Sequence, residues 1–478
     1  MKILLTGGTG YIGKRLLPLL LQAGHKVVCT VRDKNRFNVP LSFVENIKVI
    51  ETDFADEDSV NSIPFDIDVA YYLIHSMSYE KDYEDMEKAC AKNFRNALEK
   101  TSAEQVIYLG GIINEEILSK HLASRKTVEE ELAKGRYNFT SLRSGIIIGS
   151  GSASFEIIRD LVEKLPIMIA PKWLKTKCQP ISISDVLKFL TGVLKNSLTY
   201  NQNFDIGGPK VLTYKEMLLE FAHERKLWRK IFVVPVLTPK LSSYWLYFIT
   251  STSYRLARSL VGSMKVNIIC RNNDLTKILK IKPLSYLQSL KLAFTKIESN
   301  DVISSWKDSF SNGQINSKIS DFINVPIHGC FFDKRQSSIE NKSKTLDRIW
   351  QLGGNTGWYY ANWLWRLRGI LDKIFGGVGL RRGRTNPKQI YTGDTLDFWR
   401  VLYANKAEGR LLLFAEMKLP GDAWLEFKVS NNQLTQTATF RPKGLLGRLY
   451  WFSVYPFHGI IFKGMIKKIA MLFFLSFL

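Results

Sequence analysis

The stretch Thr6-Gly7-Gly8-Thr9-Gly10-Tyr11-Ile12-Gly13 lies between an apolar run, Lys2–Thr6, and a helical pattern, Lys14–Ala23, closed by Gly24. Glycines at this spacing suit one kind of chemistry. Gly7 permits a tight turn, Gly10 lets the backbone approach a diphosphate, and Gly13 lets the helix pack close to the strand. The helix start then offers unpaired N–H groups and the positive end of its dipole to the phosphates. With Thr9, Tyr11 and Ile12 completing the loop, residues 7–13 are the expected diphosphate cradle of a dinucleotide. A second marker ends the next apolar run, Val28-Cys29-Thr30-Val31-Arg32-Asp33. An acid there suits the ribose hydroxyls of NAD, and a basic residue suits the 2′-phosphate of NADP. Arg32 comes first, so NADP is expected, with NAD as the alternative. His75 follows the run Val69–Ile74, on the side where such sheets bind ligands. It is expected either to line the cofactor pocket or to be a satisfied core histidine. Arg143 either points into the same pocket or pairs with an acid.

These residues need a frame. Apolar runs recur at Lys26–Val31, Ile47–Glu51, Val69–Ile74, Gln105–Leu109 and Thr140–Ile148, with helical patterns at Asp82–Lys100 and Ser124–Lys134 between them. Strands alternating with helices predict an α/β fold, a Rossmann-type doubly wound parallel sheet covered on both faces. Residues 214–297 read as mostly helical, apart from a strand-like Phe232–Val236. Residues 298–344 are polar and irregular, as a connector would be. Leu346–Phe375 is aromatic-rich and helical, broken near Gly353-Gly354. Strand patterns follow at Thr395–Leu402, Arg410–Lys418, Ala423–Val429 and Leu434–Arg441, with Gly421-Asp422 and Asn431-Asn432 as hairpin turns. A last apolar segment from Leu449 is expected to be helical after Pro456. The expected organisation is therefore 1–213, a helical extension 214–297, a connector 298–344, and an α+β domain 345–478.

The 478 residues are 45% hydrophobic and 23% charged, which excludes a disordered chain. The net charge of +23 favours anionic partners. It is uneven, because residues 335–478 hold 22 Lys/Arg against 9 Asp/Glu. Five scattered cysteines form no CxxC, so neither a disulfide framework nor a metal site is expected, and a reducing, cytoplasmic setting fits best. No signal-peptide pattern opens the sequence. The run Ile469–Leu478 is too short to span a bilayer. Lys463, Lys467 and Lys468 among Phe462, Met465, Ile466 and Ile469 give amphipathic spacing that packing on the sheet explains, whereas the trailing Leu472-Phe473-Phe474-Leu475 run exceeds what packing needs, so peripheral association with an anionic membrane is expected. No nucleic-acid-binding motif is present, and charge alone gives only non-specific affinity.

Residues 1 to about 300 resemble an extended or atypical short-chain dehydrogenase/reductase. The resemblance rests on the glycine loop, Thr52-Asp53-Phe54, Tyr71–Ser76, Tyr108-Leu109-Gly110-Gly111, Leu142–Gly149 and Pro180–Val186. It implies that Asp53 and Phe54 contact the adenine and that Leu73–Ser76 flanks the cofactor ribose. It also implies a serine or threonine followed by Tyr-x-x-x-Lys as the catalytic set, and here the sequence departs. The fifth strand ends Gly110-Gly111 without the serine. His121 stands at the tyrosine position and Arg125 at the lysine position. His121 could relay a proton near neutral pH, whereas Arg125 could serve only as a charge or phosphate ligand.

Residues 335–478 resemble a domain of unknown function that follows such dehydrogenases in some bacterial proteins. The pattern is also similar to the START/polyketide-cyclase (SRPBCC) helix-grip superfamily, carried by Leu352–Tyr359, Gly376–Arg384, Gly393–Val401 and Leu449–His458. That resemblance implies a curved sheet gripping a long helix around an apolar cavity. Seven of the eleven tryptophans lie here, as they would around a roomy pocket or in an ordinary core. The run Arg381-Arg382-Gly383-Arg384 is a candidate anionic-headgroup site. The expected function is an NADP-dependent oxidoreductase on a small apolar or lipid-like substrate. The alternative is a non-catalytic dinucleotide-binding regulator or assembly factor.

Overall fold

Strand Lys2–Leu5 (β1) carries Ile3, Leu4 and Leu5, all fully buried. A run apolar on both faces suits a strand covered on both sides. In the computed structural model β1 sits near the middle of a seven-stranded sheet. The structure describes residues 1–32, 34, 37, 45–75, 83–113, 120–234, 261–262, 264–272, 274–298, 325, 330–380, 389–430 and 432–470. It divides into two compact units, Met1–Gly313 and Gln314–Leu478.

In the first unit β1 is joined by Lys26–Val31 (β2), Ile47–Glu51 (β3), Val69–Tyr72 (β4), Gln105–Gly111 (β5) and Asn138–Ser144 (β6). Three short pairs follow: Ile147–Ile148 (β7) with Ile181–Ser182 (β10), Ile167–Pro171 (β8) with Lys230–Val234 (β13), and Lys177–Cys178 (β9) with Leu212–Thr213 (β12). Gln202–Ile206 (β11) closes the main sheet, whose order is β11-β6-β5-β4-β1-β2-β3, all parallel. This is the Rossmann order, with its switch point between β1 and β4.

Helices Gly13–Gln22 (α1), Tyr83–Leu98 (α2), Lys120–Leu132 (α3), Ala153–Lys164 (α4), Ile183–Gly192 (α5), Tyr214–Glu224 (α6), Asp274–Ile278 (α7) and Tyr286–Glu298 (α8) accompany the strands. On one face Leu16, Leu17 and Leu20 of α1 and Phe189 of α5 cover Ile3, Leu5 and Tyr71. On the other, Ala91 and Phe94 of α2 and Val128 of α3 cover Leu4, Tyr72 and Tyr108. A further core gathers α4, α6 and α8 around the rings of Phe155, Phe221 and Phe294, whose centroids lie 5.1–5.8 Å apart. That core joins residues 146–174 to 212–294, so a border at 213 would cut through one packing unit.

The second unit is an antiparallel sheet with helices. Its strands are Phe331–Ser338 (β14), Thr395–Leu396 (β15), Trp399–Asn405 (β16), Arg410–Ala415 (β17), Gly421–Ser430 (β18) and Gln433–Pro442 (β19), in the order β14-β19-β18-β17-β16-β15. Helices Lys342–Ile349 (α9), Asn362–Ile374 (α10) and Gly444–Ala470 (α11) complete it, and α11 packs on β14 and β19.

Four expectations are corrected here. The connector 298–344 holds an edge strand, β14, and the start of α9. Gly421-Asp422 is not a turn: the ladder continues through Gly421↔Pro442 and Asp422↔Arg441. Glycine is needed at 421 because a Cβ would stand 2.4 Å from the Arg441 carbonyl oxygen. Helix α11 begins twelve residues before Pro456 and runs through it; burial of its inner face outweighs the one hydrogen bond a proline removes. The strand expected at Phe232–Val236 begins earlier, at Lys230, and is described as far as Val234; Pro235 and Val236 lie outside the described residues. Ser430↔Gln433 closes the hairpin at Asn431-Asn432, with Asn432 at φ 56°. Asn431, the run Arg381–Arg384 and residues 471–478 lie outside the described residues.

Candidate functional site

The loop after β1 is held from three sides. Thr6 Oγ1 donates to the Tyr71 carbonyl (3.0 Å) and accepts from the Leu73 N–H (3.0 Å), which ties the end of β1 to the end of β4. Gly7 turns at φ 66°, where a Cβ would lie 2.5 Å from the Leu73 carbonyl oxygen. The Gly10 N–H donates to the Gly7 carbonyl (2.8 Å). A Cβ at Gly13 would lie 2.3 Å from that same oxygen, so the first turn of α1 rests directly on the loop. The N–H groups of Lys14, Arg15 and Leu16 donate to the Gly10 and Ile12 carbonyls, so the loop itself, backed by the positive end of α1, lies at the β1/β4 switch point.

Arg15 escaped the sequence reading. Its guanidinium lies 3.9 Å above the Tyr11 ring and donates to the Tyr11 carbonyl (3.1 Å) and the Ser150 carbonyl (2.9 Å). A charge in the first turn, after a glycine loop, was its only signal. Tyr11 points away from the loop's open side: its hydroxyl reaches Gly149, where a Cβ would stand 2.6 Å from it. Burial pushes its pKa up to about 12. Tyr11 therefore anchors the loop to the β7 segment. Thr9 and Ile12 are half-buried.

The neighbouring strand ends carry the next candidates. Arg32 is exposed after β2, and Asp53 follows β3. Both act on Cys90 of α2, whose thiol burial pushes up to about 11, Asp53 raising it further and Arg32 opposing. Asp53 Oδ1 accepts from the Ala55 N–H (3.1 Å), and Ser59 Oγ accepts from the Asp53 N–H (2.9 Å). The Phe54 ring lies in the core, edge-on to Phe94 at 5.6 Å, so only its backbone can face a ligand. The His75 ring nitrogen Nε2 pairs with the Leu109 carbonyl (2.9 Å), and the ring is edge-on to Tyr108. His75 thus bridges the ends of β4 and β5.

Beyond β5 lies a group of charges. Arg143 of β6 grips Glu129 of α3 through Nε (2.9 Å) and through NH2. Arg143 is therefore an ion-pair residue; Glu129 was not singled out as its partner in the sequence. Ser124 of α3 donates to buried Glu87 of α2. The Arg125 stem lies beside Gly111, where a Cβ would meet Leu122 at 3.1 Å and Arg125 Cδ at 3.4 Å. Arg125 Nε is buried with no hydrogen-bond partner among the described residues. Tyr108 Oη donates to the Arg125 carbonyl (3.3 Å), and burial raises its pKa. His121 lies on the first turn of α3, but its side chain is outside the described residues.

Residues 3–110 match the NAD dependent epimerase/dehydratase family, and residues 329–465 match a separate protein family of unknown function (DUF2867). The divinyl chlorophyllide a 8-vinyl-reductase of Arabidopsis thaliana is 24% identical over 236 residues, 45% of this chain and 55% of that protein. Its Cucumis sativus counterpart is 24% identical over 233 residues, 44% and 54%. The chain spans about half the length of these relatives. A nucleoside-diphosphate-sugar epimerase from Staphylococcus aureus superposes with a TM-score of 0.50 at 15% identity, over 61% of this chain and 100% of that one. The chain thus joins an N-terminal Rossmann unit, which matches the NAD dependent epimerase/dehydratase family over residues 3–110, to a C-terminal unit that matches DUF2867 over residues 329–465.

Proposed function

We propose that the first unit binds a nicotinamide dinucleotide, NADPH in preference to NADH, and reduces an apolar or lipid-like molecule. The observation that carries this reading is the loop of residues 7–13 at the switch point, which packs backbone on backbone, Gly7 against Leu73 and Gly13 against Gly7, with no room for a Cβ at either glycine. The residues fit the group. The loop N–H groups of Tyr11, Ile12 and Gly13, backed by the positive end of α1, would hold the diphosphate, Arg32 would face a 2′-phosphate, and His75 would border the ribose. Arg125 Nε, without a hydrogen-bond partner among the described residues, offers a further donor near the end of β5. The bound dinucleotide would supply the hydride. The chain must then supply a proton, and His121, one turn before Arg125, is the residue assigned to that step. The relatives named divinyl chlorophyllide a 8-vinyl-reductases favour a reduction over sugar epimerisation.

A second reading, a dinucleotide-binding regulator without turnover, is favoured by one observation. The tyrosine and lysine positions hold His121 and Arg125, and the fifth strand ends Gly110-Gly111, so the usual hydroxyls are missing. Fluorescence titration with NADPH and NADH, followed by turnover assays on quinones, aldehydes and lipid ketones, separates the two. Tight binding without turnover on any acceptor favours the regulator. If turnover occurs, His121→Ala should lower it strongly, and an unchanged rate removes His121 from the mechanism. Arg32→Ala should weaken NADPH by about tenfold and leave NADH unaffected, as expected for loss of one phosphate contact of about 1.4 kcal/mol. A native preference for NADH that Arg32→Ala does not alter defeats the 2′-phosphate assignment.

A further inference from the structure

A helix at a protein surface normally turns a polar face to water. Two helices of the second unit do the opposite. On α10, Trp363, Leu367, Ile370 and Ile374 recur every three or four residues and all are exposed, Trp363 by 66% and Ile374 by 62%. The inward face of α10 is separate, formed by Trp365, Gly369, Asp372 and Lys373. On α11, Leu445, Leu449, Phe452 and Ile460 form a second exposed stripe, Phe452 by 64%, while Trp451, Phe462 and Met465 face inward. The two helices are neighbours: Trp365 and Phe462 rings lie 6.2 Å apart, and the Arg368 guanidinium stands 5.9 Å from the Tyr450 ring centre. Apolar surface on this scale marks an interaction site.

Charge decides the occupant. From residue 427 to 478 the sequence has no Asp or Glu at all. Between 361 and 393 the one acid is Asp372, which is buried and accepts from the Gly379 N–H and the Lys418 N–H (2.8 Å each). Arg366, Arg448, Lys463 and Lys467 are exposed around the stripes. An apolar face with large aromatics, bordered by cations and free of exposed carboxylates, is complementary to an anionic bilayer surface. A second copy meeting this face would bring like charges together. Among the described residues no helix is long and apolar enough to cross a membrane, so contact is in the plane of the surface.

We propose that the paired outer faces of α10 and α11 dock the second unit on an anionic lipid bilayer. This places the membrane-facing element on α10 and α11 rather than on the last residues of the sequence. It is independent of dinucleotide binding by the first unit.

The test is co-flotation of the full chain with phosphatidylcholine vesicles, with and without phosphatidylglycerol, at low and high salt. The chain should float with the anionic vesicles and be released by salt. Ile370→Glu with Phe452→Glu changes two exposed positions, and circular dichroism checks that the fold is retained. The pair should lower vesicle partitioning at least about tenfold. A chain ended after Ala470 should float like the full chain. Absence of flotation at low salt, or flotation unaffected by the two glutamates, would overturn the proposal. So would flotation lost on removing residues 471–478 alone. A dimer seen by light scattering, dissolved by the same substitutions and indifferent to vesicles, would assign the face to a second copy instead.

Discussion

Replacing Gly13 by alanine would set a Cβ 2.3 Å from the Gly7 carbonyl oxygen and 2.9 Å from Gly7 C and Gly8 Cα. All three are backbone atoms of a loop pinned by Thr6, so none can swing aside. Overpacking of this kind costs about 1–3 kcal/mol, a melting shift of several degrees in a unit of this size. Gly10 differs. Its Cβ would stand 3.1 Å from the same oxygen, a misfit of tenths of an ångström, and its φ lies outside the positive region. Gly10→Ala should therefore change stability by less than about 1 kcal/mol. Its methyl would nonetheless stand where the backbone must approach the diphosphate. Loss of two charge-assisted hydrogen bonds at about 1.5 kcal/mol each corresponds to NADPH binding weakened roughly a hundredfold. Thermal melts and fluorescence titrations of both variants give the two readouts. Gly10→Ala binding NADPH as tightly as the native chain would refute the argument, and so would a Gly13→Ala chain that melts unchanged.

Two further outcomes follow from buried charge. Arg143→Ala leaves Glu129 buried and unpaired, and should destabilise the first unit by about 3 kcal/mol in urea titrations. Arg143→Met with Glu129→Gln should recover most of that loss, and an unchanged single variant would show the pair to be unimportant. His458 of α11 lies against Trp451, Phe462, Asp333 and Arg335, and burial lowers its pKa to about 4. The unfolded chain, with its histidine near 6.5, then binds the proton more readily. This group's contribution of about 3 kcal/mol is complete above pH 6.5 and is lost as pH falls from there to about 4. His458→Leu should flatten that part of the pH profile, followed by tryptophan fluorescence of the second unit; an identical slope would refute the assignment.

The glycine loop and its strand could be read from sequence because everything that makes them is local: three consecutive apolar residues, a turn glycine and a helix start. The Arg143–Glu129 pair could not, since fourteen residues separate the partners and only the α3 crossover between β5 and β6 brings them together. Gly421 was misread because Gly-Asp is usual turn chemistry, whereas the structure uses the missing Cβ for a close strand approach. Strand β14 hid in a polar stretch for a different reason. Its inward row is Phe331, Asp333, Arg335 and Ser337, so the alternation that announces a strand is nearly absent. The polar pair in that row, Asp333 with Arg335, also explains why the segment reads as a connector.

That first strand has a bearing on how the protein is made and dissected. Strand β14 pairs along its whole length with β19, from Phe331↔Phe440 to Ser338↔Gln433. During synthesis it must wait for roughly a hundred residues before its neighbour exists, which makes closure of this sheet a late, non-local event. A recombinant fragment begun at residue 345 would leave eight positions of β19 as an open edge, free to recruit the same edge of another molecule. A fragment that is to remain monodisperse must begin ahead of Phe331.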